Sequence, residues 1–144
     1  MIESDTIKLL RECDAGVKMG VSSIGDVLGA VKSPELKRML EDCREGHLKL
    51  NEEVEAALDR FQDDGKKPNP IAKSMSSIKT GVKLALEESD HTVADLMTDG
   101  CNMGVKSLSR YLNQYKAADE DAKDICKRLI REEERLAVGM RGFL

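Results

Sequence analysis

Aromatic residues are almost missing from this chain: it has no Trp, two Phe and two Tyr in 144 positions. Its core must therefore be built from Leu, Ile, Val, Ala and Met. With 40% apolar and 35% charged residues, the composition is that of a soluble helical protein of one domain, 1–144. No run approaches the roughly 18 apolar residues of a membrane span. Met1-Ile2-Glu3-Ser4-Asp5 has neither the basic start nor the apolar stretch of a signal peptide. Surplus positive charge is missing as well. The 23 basic and 27 acidic residues give a net charge of -4, not the basic surface that displaces counterions from duplex DNA or RNA. The four cysteines form no C-x-x-C, which excludes a zinc ribbon or thioredoxin-type motif and fits a reducing compartment. The expectation is a cytoplasmic protein with no membrane and no nucleic-acid partner.

What the chain does contain is a half-erased internal repeat. Cys13-Asp14-Ala15-Gly16-Val17-Lys18 returns as Cys101-Asn102-Met103-Gly104-Val105-Lys106, and each copy lies inside a helical pattern. The first segment places Ile7, Leu10, Asp14, Val17, Val21, Ile24, Leu28 and Val31 at alternating steps of three and four. Ser33-Pro34 ends it, with Ser33 as the cap and Pro34 in the first turn of the next helix. The second segment repeats the alternation through Leu36, Leu40, Cys43, His47, Leu50, Val54, Ala57 and Phe61. A loop rich in charge and turn formers follows, Asp63 to Pro70. Asn69-Pro70 then opens a further helical stretch with the apolar face Ile71, Met75, Ile78, Val82 and Leu86. Ser89-Asp90-His91-Thr92 offers caps to a new start. Beyond it run Ala94, Met97, Cys101, Gly104, Leu108, Tyr111 and Tyr115. After a short turn at Ala117 to Glu120 come Ala122, Cys126, Leu129, Glu133, Leu136, Met140 and Phe143.

These segments predict an all-α chain of two antiparallel helical hairpins, 3–62 and 91–143, joined by a long helical crossover, 63–90. A crossover of that length can travel the length of a bundle and set the second hairpin head-to-tail with the first. The duplicated hairpins, the Ser33-Pro34-Glu35-Leu36 turn and the helical crossover resemble small bacterial members of the ferritin-like four-helix-bundle superfamily. The resemblance covers nearly the whole chain and rests on architecture. It implies a di-iron layer with a Glu on two helices and a Glu-x-x-His on the other two. This sequence departs from that pattern. Its only Glu-x-x-His is Glu88-Ser89-Asp90-His91, at the crossover break, His47 follows Arg44 rather than Glu, and the last segment has no His. Ferroxidase or oxygenase activity is therefore not carried over.

Three ionisable residues remain on the apolar stripes: Asp14, His47 and Glu133. His47 and Glu133 each fall about 14 residues from a hairpin turn, at one height near mid-bundle, at 1.5 Å per residue. Asp14 falls about five residues off that layer. Gly104 faces the layer, Gly16 lies at its edge, and Gly46 sits beside His47. A His47–Glu133 pair satisfies both groups without a metal. In the alternative, a reduced site of His47 and Glu133, completed by Asp14 or Cys101, takes iron, manganese or zinc. His91 reads as a solvated helix-end residue, and one cysteine per main helix reads as core filling, with Cys43 and Cys126 toward opposite ends. No Ser–His–Asp or Cys–His arrangement follows from spacing, and no glycine forms a phosphate loop. The functional expectation is a non-enzymatic bundle that acts by assembly or protein binding. The crossover face is the candidate contact surface, and the alternative is a metal-binding or redox protein.

Overall fold

The computed structural model describes the backbone of residues 2–61 and 87–144 and the side chains of residues 5–61 and 87–144. The crossover face of Ile71, Met75, Ile78, Val82 and Leu86 lies outside the described residues. Those that are described form four α-helices and no strand: α1 (Ile2–Leu28), α2 (Pro34–Arg60), α3 (Asp90–Gln114) and α4 (Glu120–Gly139), closed by a 3-10 turn at Met140–Phe143. None of the helices is long and apolar enough to cross a membrane.

Local chemistry sets the helix starts. The Ser33 hydroxyl accepts from the Leu36 N–H at 3.3 Å, with Pro34 in the first turn of α2. The Ser89 hydroxyl does the same for Thr92 at 3.2 Å, and the Asp119 carboxylate for Ala122 at 2.8 Å. Two further groups tie distant segments together. The Asp90 carboxylate accepts from the backbone N–H of Lys32 at 2.7 Å and of Ser33 at 3.0 Å, which fixes the α1–α2 turn to the start of α3. At the other end, Asp5 accepts from Ala117 N–H at 3.0 Å and Thr6 Oγ1 from Asp119 N–H at 2.9 Å, so the start of α1 meets the α3–α4 turn.

Two apolar clusters fill the interior. One gathers Leu9, Leu10, Cys13, Val17, Leu50, Val54, Leu108, Cys126 and Leu129; the other Ile24, Val27, Leu36, Leu40, Cys43, Met97, Cys101, Leu136 and Met140. Each fully buried Leu, Ile or Val contributes roughly 1.5–3 kcal/mol. The stripes expected on α2 and α4 are buried almost residue for residue, with only Phe61 and Phe143 half-covered. On α1 the buried face is turned from the expected one. Leu9, Cys13 and Val27 are fully covered, while Ile7, Val21, Leu28 and Val31 are half-covered. The cause is packing: α1 touches α2 and α3 and also reaches α4 across the bundle, so it buries a wider arc than a two-neighbour helix.

Candidate functional site

Between the two apolar clusters lies one polar layer. Along α2 the buried face passes from Cys43 through His47 to Leu50, and along α4 from Leu136 through Glu133 to Leu129. Helical spacing thus delivers both ionisable side chains to the seam, where His47 is 1% and Glu133 9% exposed. The structure brings them together: His47 Nε2 stands 2.8 Å from Glu133 Oε1.

The other imidazole nitrogen is engaged too. His47 Nδ1 lies 2.8 Å from the backbone carbonyl oxygen of Cys43, one turn back, with Cys43 Sγ 3.5 Å away. A carbonyl only accepts, so Nδ1 carries a proton. Nε2 donates to the Glu133 carboxylate, and the ring is an imidazolium. Burial pulls its pKa down, but the hydrogen bonds to Cys43 and Glu133 and the charge of Glu133 overcome this and raise it to about 10. Beside Glu133 lies the Cys101 thiol, which burial and the adjacent carboxylate push well above the ordinary thiol value. Cys43, His47 and Glu133 form one buried polar chain from α2 to α4, with Cys101 of α3 beside it.

Glycines make room for this layer. A Cβ on Gly20 would stand 2.7 Å from His47 Cδ2 and 2.8 Å from Nε2, so α1 closes on the face of the imidazole. From α3, a Cβ on Gly104 would meet Glu133 at 3.5 Å, an ordinary contact. Gly46 faces away from the ring, toward the carboxylate of Glu132. Gly16 packs on Leu129 and Leu108, below the layer.

Asp14 does not join the pair. It is 1% exposed and accepts from Lys18 Nζ at 2.8 Å, one turn along α1. Its Oδ1 is buried and takes no hydrogen bond among the described residues. Among those residues no group of three or more His, Cys, Asp or Glu is arranged to hold a metal ion. His91 is exposed in the first turn of α3, beside the Ser89 cap. All four cysteines are free and buried, with Cys43 and Cys126 in different clusters. Two grooves along the α2–α4 face are lined mainly by charged residues, including Lys49, Glu53, Arg128 and Arg131, and by neither member of the pair nor any cysteine.

Two contacts escaped the sequence pattern: Gly20 with His47, and Cys13 with Cys126. A signal for the first was present. Cys13, Val17, Gly20, Ile24 and Val27 also follow steps of four and three, a second stripe beside the one formed by bulkier residues.

No family model matches the chain, and comparison with curated proteins and with solved structures yields no match.

Proposed function

We propose that this chain is a non-enzymatic bundle of the ferritin-like type that acts by self-association or by binding another protein, with the His47–Glu133 layer as an internal fastening. The observation that carries this reading is the engagement of both imidazole nitrogens, each at 2.8 Å from a protein oxygen. The hydrogen-bonding groups at the centre are turned on one another, so the surfaces a partner can meet are the outer helix faces. There Leu48 on α2 and Met103 on α3 are exposed, Met103 at 69%. The end ties support the ferritin-like arrangement. Asp90 joins the α1–α2 turn to the start of α3, and Asp5 and Thr6 join the start of α1 to the α3–α4 turn, as two antiparallel hairpins set head-to-tail require.

The residues present do not fit the di-iron layer that the resemblance implies. Such a layer needs a carboxylate from each of the helices opposite the His-bearing pair. What α1 and α3 present to His47 and Glu133 is Gly20 from one and Gly104 with the Cys101 thiol from the other, and no carboxylate among the described residues. The protein purified anaerobically without an affinity tag, examined by elemental analysis and by light scattering over a range of concentrations, tests the reading. Metal-free protein, before and after reconstitution with iron, manganese or zinc, together with a mass that rises with concentration, is the expected result. Near-stoichiometric metal that disappears in His47→Ala would replace it with a metal-binding or redox function.

A further inference from the structure

Cys13 and Cys126 lie away from the central layer, together in one apolar cluster, and answer to a different chemistry. A Cβ on Gly16 would stand 3.6 Å from Leu129 Cδ2, and one on Gly20 would stand 3.5 Å from Glu133 Oε1. Four residues forward on α1 match four residues forward on α4, so these two helices run in the same direction at contact distance. One turn back from Gly16 is Cys13, and one turn back from Leu129 is Cys126. The two thiols therefore face each other at one level, both 0% exposed and in one apolar cluster. The two thiols are near enough to perturb one another, and the Cys126 thiol donates to the Leu108 carbonyl oxygen at 3.8 Å.

We propose that Cys13 and Cys126 form a thiol–disulfide site, at which a peroxide closes a covalent tie between α1 and α4. Hydrogen peroxide oxidises one sulfur: the O–O bond breaks, one oxygen joins the thiol as a sulfenic acid, and the other leaves as water. The neighbouring thiol then attacks that sulfur, the S–S bond forms, and the sulfenic hydroxyl leaves with the attacking thiol's proton as a second water. Two thiols and one peroxide give one disulfide and two waters. Their juxtaposition makes the second step intramolecular and fast relative to overoxidation. Cys126 lies nearer a helix start than Cys13 does, so it is the sulfur attacked first and Cys13 is the resolving one. Access comes from the end of the bundle. Cys126 lies within two turns of the start of α4, and helix ends open locally at far lower cost than the whole domain. Cys43 and Cys101 belong to the other cluster, around the His47–Glu133 layer, and are not partners of this pair.

The test uses the reduced, folded full-length chain exposed to hydrogen peroxide, then unfolded, alkylated and mapped by peptide mass spectrometry. The expected product has lost two hydrogen atoms and carries one linked peptide pair, Cys13 with Cys126, while Cys43 and Cys101 are alkylated. The double variant Cys43→Ala/Cys101→Ala gives the same link, and Cys13→Ala gives none. If Cys13→Ala does not fold, the link in the double variant decides alone. Four alkylated cysteines after exposure that fully oxidises dithiothreitol would overturn the proposal. So would a link that includes Cys43 or Cys101, or a sulfinic acid at Cys126 without a link.

Discussion

The backbone of Gly20 lies against the ring of His47 so closely that a Cβ there would stand 2.7 Å from Cδ2 and 2.8 Å from Nε2. The ring cannot yield, because its two nitrogens are held from opposite sides by the Cys43 carbonyl and the Glu133 carboxylate. Gly20→Ala therefore forces either α1 outward or the imidazole off both partners. Overpacking of this kind costs about 1–3 kcal/mol, beyond the roughly 1 kcal/mol that Ala gains over Gly in a helix. Gly104→Ala meets Glu133 only at ordinary contact distance and should be neutral or stabilising by up to about 1 kcal/mol. Urea unfolding of the two variants side by side checks this. Equal effects would mean that the α1–α2 approach is not tight.

The protonation of His47 makes stability depend on pH in a defined window. The folded imidazole keeps its proton to about pH 10, whereas an unfolded one releases it near 6.5. Below about 6.5 both states are protonated and the pair contributes fully. As pH rises toward 10 the unfolded state alone loses its proton, and the contribution falls by about 1.4 kcal/mol per pH unit. Between pH 7 and 8.5 the chain should lose on the order of 2 kcal/mol. His47→Leu should show a flat profile over the same range, below the onset of thiol ionisation. The measurement is the urea midpoint at half-unit pH steps, and parallel profiles for the two proteins would contradict a charged His47.

His47 and Glu133 should also be strongly non-additive. His47→Leu leaves a buried carboxylate beside the Cys101 thiol and should cost about 1–3 kcal/mol. Glu133→Leu strands the imidazole to a similar degree. The double variant replaces both with apolar groups between two apolar clusters and should return to within about 1 kcal/mol of the parent. Denaturant unfolding of all four proteins completes the cycle. A double variant that adds the two single losses would show that the pair is not one unit.

The sequence carried much of this layer because its determinants are local. The Ser33-Pro34 turn sets where α2 starts, the 3.6-residue period sets its buried face, and counting from the two hairpin turns puts His47 and Glu133 at one height. What escaped depends on distant packing. The turned face of α1 follows from its contact with α4 across the bundle, and a glycine leaves no apolar mark on a stripe, so Gly20 was passed over. Cys13 and Cys126 belong to helices about 100 residues apart in sequence, and only the shared direction of α1 and α4 aligns them. Asp14 shows the converse limit: its position on the stripe gave its burial, but Lys18, one turn away, took its carboxylate.

The tie between the α1–α2 turn and the start of α3 can be tested at Asp90. Its carboxylate accepts from the N–H groups of Lys32 and Ser33, at the turn where α1 gives way to α2, and it stands in the first turn of α3. No helix supplies those two N–H groups with a carbonyl, so Asp90→Ala returns them to water and removes a charge that favours the α3 start. The expected loss is about 1–2 kcal/mol. Glu88→Ala, an exposed carboxylate two residues earlier, should change stability by less than about 0.5 kcal/mol. Hydrogen exchange gives the sharper reading. In Asp90→Ala the amides of Lys32 and Ser33 should lose protection while those around His47 keep theirs. Loss of protection throughout would mean instead that this one carboxylate holds α1 and α2 to α3 and α4.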